Sequence, residues 1–297
     1  MKIITEKQIS ELCISTEKCL TWVEEALKIK EQAILPAKIS MKPKDDVFCN
    51  VMPSIVGKSG GVKIVSRYPG REPTLESKLI LFDSESGDFK ALMDANVITT
   101  MRTAAVAVHS VKLLAKKSFN TVGLIGLGEI GKATYKMLLD TYRNVALTVK
   151  IYDYKNRAAE FANSFSDYDN VTYIFCKTVD EVVKDSDVIL SAPTYVNDDF
   201  CEDAQFKKGV LVVPIHTRGF TNCDLFFDKV FGDDYGHICH FKYFDKFKTF
   251  NETAEIIAGK CLGRESDTQR ILAYNIGISL HDIYFANKIL EMLKSEE

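Results

Sequence analysis

Residues 121–131, TVGLIGLGEIG, constrain the fold more than any other part of this 297-residue chain. Gly126, Gly128 and Gly131 stand in a G-x-G-x-x-G arrangement between an apolar β-forming run and the amphipathic stretch EIGKATYKMLLDTY. Strand, glycine turn and helix in that order suit a dinucleotide pyrophosphate. The first glycine permits the tight turn, the second lets the main chain approach the phosphates, and the third lets helix and strand pack closely. The helix start, with Glu129 and Ile130 in its first turn, offers free N–H groups and a partial positive charge. Asp153 lies 22 residues beyond Gly131, at the end of the next apolar run. A carboxylate there binds an adenosine ribose hydroxyl, which favours NAD as cofactor. Lys155 and Arg157 follow and could accept a 2′-phosphate, so NADP stays open.

From residue 120 onward the runs TVGLI, ALTVKIYDY, VTYIFCK, DVILSAPT and VLVVPIHT alternate with helical or loop segments. Continuous apolar strands between helices predict a Rossmann-type, doubly wound parallel sheet in an α/β protein. The earlier half has a different texture. A helix is expected over 15–33 and another over 97–117. Between them AKISMK, VFCNVMPSIV, GGVKIVSRY, KLILFD and FKALMD are punctuated by Gly, Pro and Asp-Ser, with a hairpin turn at Ser86-Gly87. They predict a mostly antiparallel sheet in an α+β domain. A last helix over roughly 268–294, with Ile271, Leu272, Ile276, Leu280 and Ile283 as its stripe, is expected to return to that domain. The predicted division is therefore 1–117 with 268–297, and 118–267.

A net charge of −3 gives no broad attraction to nucleic acid or anionic lipid. No apolar run reaches the roughly 20 residues of a membrane span, and MKIITEKQ has no signal-peptide core. The expected location is cytoplasmic. Eight cysteines are scattered without a CxxC pair, which suits core filling in a reducing compartment. The segment GHICH (236–240) lacks a second ligand cluster, so no metal is expected.

Several polar residues stand in apolar settings. LVVPIHTRGF (211–220) ends a strand in His216 and Arg218, and ligands of such sheets bind outside the carboxyl ends of strands. Ala192 of LSAPT marks another such end. Lys63 lies inside the strand GGVKIVS, Arg102 opens the Ala-rich run TMRTAA, and Lys38 follows Leu35-Pro36-Ala37. Taken singly, each is ordinarily a side chain reaching for solvent or a structural ion pair. An arginine is also suited to a bidentate grip on a carboxylate, and a buried lysine needs a partner.

Together NVMPS (50–54), GGVKIVSRYPG (60–70), LILFDSESGDFKALMDANVITTMRTAAVAVHS (79–110), GLIGLGEIGKA (123–133), GRESD (263–267) and NIGISLHDIYFA (275–286) resemble the ornithine cyclodeaminase/mu-crystallin family along nearly the whole chain. The resemblance implies a homodimer of chains with a substrate and dimerisation domain plus a Rossmann domain. That family includes ornithine and lysine cyclodeaminases, an alanine dehydrogenase, opine-type dehydrogenases, ketimine reductases, and mu-crystallin, which binds NADPH and thyroid hormone. It implies Lys63 as a carboxylate-binding and proton-transfer residue and Arg102 as the main carboxylate clamp. Lys38 stands at the position of a family arginine. Asn50 and Met52 belong to the substrate pocket, Thr103, Ala192 and Gly277 to the cofactor site.

Two positions depart from the cyclodeaminase pattern. Asn50 replaces a glutamate, and His216 stands where an aspartate handles protons or a side-chain amine, unless Asp224 or Asp228 supplies that carboxylate. A histidine of ordinary pKa near 6.5 is a competent acid or base at neutral pH. Losing two carboxylates leaves a distal ammonium without partners. The expected activity is therefore NAD(P)-dependent oxidation or reduction at the C2 amine or imine of a small amino acid. A neutral or anionic side chain fits the pocket, and His216 and Arg218, better than free ornithine does. The alternatives are true ornithine cyclodeamination to proline and ammonia, and a cofactor-dependent binding protein of the mu-crystallin kind.

Overall fold

The alternating apolar residues of VFCNVMPSIV and SGGVKIVSR make two half-buried strands whose one-residue alternation sends every second side chain to a covered face. In the computed structural model, which describes residues 1–194 and 196–295, they sit inside a six-stranded sheet. Its strands are β1 (Lys2–Ile4), β2 (Ile39–Lys44), β3 (Val47–Val56), β4 (Ser59–Arg67), β5 (Leu75–Asp83) and β6 (Phe89–Asp94), in the order β1-β6-β5-β4-β3-β2. All neighbours are antiparallel except β1 and β6. The turn at Ser86-Gly87 forms as expected, with Gly87 at φ 78° donating its N–H to Asp83 O.

The chain divides into two compact units, Met1–Arg102 with Gly277–Glu297, and Thr103–Ile276. The first also holds α1 (Glu6–Glu11) and α2 (Thr16–Lys28), the latter capped by Ser15 Oγ accepting the Lys18 N–H. The C-terminal helix, Ser279–Ser295, lies on the sheet face that carries Met52, Lys63, Leu79 and Met93 in one cross-strand row. It approaches so closely that a Cβ on Gly61 would come within 2.4 Å of Ile283 Cδ1. Ser279 Oγ donates to Pro53 O and Ser59 Oγ to Asn287 Oδ1, both at 2.8 Å. Trp22 of α2 meets Phe285 edge to face at 5.1 Å. The opposite sheet face leaves Ile3, Ile39, Ile64 and Phe89 exposed.

The second unit contains an eight-stranded parallel sheet. The long helix α3 (Asn96–Leu114) leads to β7 (Thr121–Ile125), α4 (Glu129–Thr141), β8 (Leu147–Tyr152), α5 (Ala158–Asn163) and β9 (Val171–Cys176). There follow α6 (Val179–Val183), β10 (Val188–Ser191), β11 (Leu211–Pro214), β12 (Lys229–Gly232), α7 (Tyr235–Ile238), β13 (Phe250–Glu252), α8 (Thr253–Ile257) and β14 (Ile271–Tyr274). The order is β13-β12-β14-β11-β10-β7-β8-β9. Every residue of β10, β11 and β14 is buried, as strands covered on both faces require.

Two expectations need correction. The helix drawn over 268–294 begins only at Ser279, because Ile271–Tyr274 is a strand set between β11 and β12. A four-residue apolar run carries no period that separates strand from helix. The compact units divide at 102 and 277. Helix α3, finally, is long and apolar enough to cross a membrane, but most of it is buried in the fold, as suits a core helix.

Candidate active site

In the first unit the site grows from the sheet row beneath the C-terminal helix. Strand alternation points Lys63 to the covered face beside Met52, and its side chain has no exposed surface. Its Nζ lies 2.8 Å from Asp282 Oδ1, and Arg102 Nε donates to the same oxygen, also at 2.8 Å. Asp282 is fully buried and Arg102 nearly so. Two cations on one carboxylate oxygen form a buried charge cluster in which each member depends on the others. Burial pushes the Lys63 amine down to about 7; Arg102 and, further off, Lys38 add to the effect, and Asp282 opposes it. Lys63 is thus poised between its charged and neutral forms at neutral pH.

Arg102 owes its placement to Gly277, which has φ 80°; a Cβ there would come within 2.7 Å of Arg102 Nη1. Gly277, expected at the cofactor, packs against the guanidinium. The outer nitrogens Nη1 and Nη2 have no hydrogen-bond partner among the described residues, so the planar fork remains free. Lys38 precedes β2 and is half-buried. Asn50 shares the covered sheet face with Met52, and its Oδ1 is buried without a partner.

In the second unit the glycine turn has the shape the sequence requires. Gly126 has φ 93°, and a Cβ there would lie 2.5 Å from the Ala192 carbonyl carbon. A Cβ on Gly131 would lie 2.0 Å from Gly126 O, so helix and turn can close only on glycine. Gly128 faces open space and caps α4 without a side-chain hydrogen bond. The N–H groups of Glu129 and Ile130 therefore start an uncapped helix beside an open turn, which fits a pyrophosphate. Asp153 follows β8; its Oδ1 accepts the Ala158 N–H at 2.9 Å. Lys155 and Asn156 take left-handed backbone at φ 59° and 55°. Thr103 is buried one residue past Arg102.

His216 follows β11, and its Nε2 lies 2.7 Å from Ser191 Oγ. The ring stacks on Phe220 and meets Phe200 edge-on. Burial pushes its pKa down to about 4, which the Arg218 backbone offsets only in part. The expected titration near 6.5 is thus absent: a ring walled by aromatics loses the hydration that its cation needs. Arg218 is exposed on the loop. Asp228 is tied to the Arg270 N–H and Lys248. Asp224 is buried beneath Tyr274, whose hydroxyl donates to Oδ1 at 2.9 Å, and burial raises its carboxyl to about 7.

The model of the ornithine cyclodeaminase/mu-crystallin family matches residues 2–297. This chain belongs to that family. Among its relatives is the N-((2S)-2-amino-2-carboxyethyl)-L-glutamate dehydrogenase of Staphylococcus aureus, 26% identical over 234 residues, or 73% of this chain and 68% of the relative. The fold is shared with the delta(1)-pyrroline-2-carboxylate reductase of Thermococcus litoralis, solved with NADH and L-proline, at a TM-score of 0.88 and 21% identity over 100% of this chain and 98% of that one. It is shared equally with an archaeal alanine dehydrogenase dimer with bound NAD, at a TM-score of 0.85 and 22% identity over 100% and 97%. Lys63 and Arg102 come together in this chain on Asp282. Asp282, which joins them, was not singled out in the sequence. The available signal was a carboxylate within the apolar stripe of the C-terminal helix, between Ser279 and Ala286.

Proposed function

We propose that this ornithine cyclodeaminase/mu-crystallin family member is an NAD(P)-dependent oxidoreductase acting at the C2 amine or imine of a small amino acid. The observation that carries the reading is the buried Lys63–Asp282–Arg102 cluster with the free Arg102 fork. A dinucleotide bound at the glycine turn would supply the hydride chemistry. The main chain at Gly126, Gly128 and Gly131 and the first N–H groups of α4 hold its pyrophosphate. The second oxygen of Asp153 takes a ribose hydroxyl. Ala192 and Thr103 remain cofactor contacts in this reading. Arg102 Nη1 and Nη2 grip the substrate carboxylate at two points. Lys63, with its pKa near neutrality, carries the proton that the substrate nitrogen gains or loses. His216 stays neutral at pH 7 and takes no part as a charged acid, so its role is hydrogen bonding.

Two bases, Lys63 and Arg102, share one carboxylate among the described residues, Asp282, and Asn50 is neutral. That balance favours a substrate whose side chain is neutral or anionic over one with a distal ammonium. Two copies pair through the sheet face bearing Ile3, Ile39, Ile64 and Phe89, since exposed apolar side chains gathered on one sheet face are covered in a stable assembly.

The test is NADH and NADPH oxidation with cyclic imines and with keto acid–amine pairs, and NAD(P) reduction with L-proline and L-alanine. Turnover with an imine and none with L-ornithine is expected. Proline and ammonia from L-ornithine would establish a cyclodeaminase instead. NAD(P)H binding seen by fluorescence, with no turnover of any partner, would overturn the enzyme reading in favour of a binding protein.

A further inference from the structure

We propose that Asp282 touches the substrate: its Oδ2 accepts a hydrogen bond from the substrate's C2 amine or iminium N–H, while Oδ1 holds Lys63 and Arg102. This deepens, and rests on, the amino-acid or imine reading above. The asymmetry of the carboxylate carries it. Oδ1 receives both cations at 2.8 Å, whereas Oδ2 is buried with no hydrogen-bond partner among the described residues. A buried carboxylate oxygen has lost its water and needs a donor in return. Neither neighbouring base points a bond at it: Lys63 Nζ and Arg102 Nε both go to Oδ1.

A second acceptor of the same kind lies on the same covered sheet face. Asn50 Oδ1 is buried and unpartnered, and Asn50 is one step along β3 from Met52, the cross-strand neighbour of Lys63. Against these unfilled acceptors stand unfilled donors, Nη1 and Nη2 of Arg102. Free acceptors beside a free cationic fork match a molecule that presents a carboxylate and an N–H on the same carbon. A cationic nitrogen entering the cluster meets the charges of Arg102, Lys38 and Lys63. Lys63 can release its proton at neutral pH, because burial and Arg102 have brought it to about 7. Asp282, the carboxylate bonded to Lys63 and Arg102, then faces the incoming nitrogen.

The inference separates nitrogen from oxygen at C2. The full-length protein loaded with NADH is titrated calorimetrically with L-proline and with tetrahydrofuran-2-carboxylate, which keeps the ring and carboxylate and replaces NH by oxygen. Wild type should bind L-proline at least tenfold more tightly. Asp282→Asn should lose at least tenfold of L-proline affinity and change the oxygen isostere less than threefold. Equal binding of both ligands by wild type, or of neither, overturns the inference, as does an equal loss for both in the variant, which would leave Asp282 a mere support for Arg102. The wild-type comparison decides alone if Asp282→Asn does not fold. Turnover is scored separately. Selective L-proline binding without hydride transfer would sink the enzyme reading and keep this one; imine turnover with equal ligand binding would do the reverse.

Discussion

Two buried basic sites of the chain are treated in opposite ways. In the first unit, Lys63 and Arg102 are buried with a counter-ion, and the lysine's pKa falls only to about 7 because Asp282 resists the desolvation. In the second, His216 is walled by Phe200 and Phe220 with no charged partner among the described residues, and its pKa falls to about 4. Both are basic groups pushed down by burial. The paired one stays near the pH at which proton exchange is useful; the unpaired one leaves that range. Burial alone silences a base, whereas burial with a carboxylate tunes it.

The sharpest way to break this comparison is to remove each group in turn. Arg102→Met should lower kcat/KM about a thousandfold, ~4 kcal/mol of transition-state stabilisation, with Arg102→Lys recovering little because lysine has no planar fork. His216→Gln should cost about tenfold. Equal losses in steady-state assays would show that the imidazole does as much as the guanidinium. Next, Gly131→Ala should destabilise the fold by roughly 2–4 kcal/mol, since its Cβ meets a backbone oxygen. Gly128→Ala, which faces open space, should leave the melting temperature nearly unchanged and weaken NADH binding about tenfold. Calorimetric melting and NADH fluorescence separate the two effects.

The pH dependence sharpens the contrast further. With Lys63 near 7, imine reduction needs the charged amine and should fall as pH rises through about 7, while amine oxidation should rise over the same interval. Lys63→Arg should remove that limb between pH 6 and 9, and no limb from His216 should appear there. The smallest effect concerns Asp224, whose folded pKa is about 7 against 3.8 for the free group. A raised carboxyl pKa makes the folded state gain stability on protonation, a contribution present below about 4 and lost as pH rises to about 7. Asp224→Asn keeps an acceptor for Tyr274 and should therefore raise the melting temperature by a few degrees at pH 8, worth about 1 kcal/mol, and not at all at pH 4.

Much of this was readable in the sequence because it is written in local patterns. The glycine turn, the covered strands around it and the alternation of VFCNVMPSIV each follow from residues a few positions apart. What escaped depends on distance or on solvent. Ile271–Tyr274 is too short to show a period, so its place between β11 and β12 was not legible. Asp282 meets Lys63 across 219 positions of sequence, and nothing local joins them. The lowered pKa of His216 arises from Phe200 and Phe220 folding over it, which no spacing rule for a strand end conveys.

The anion at the heart of the cluster reaches it last. During synthesis Lys63 and Arg102 emerge long before residue 282, while the whole parallel sheet is made in between. Until the C-terminal helix lands, the first unit would have to bury two like charges without compensation, so its sheet should stay open and wet on the ribosome. The pairing of the two buried cations and the final closing of that unit are thus fastened by the same carboxylate, and a chain truncated before it should expose the sheet face that carries Lys63.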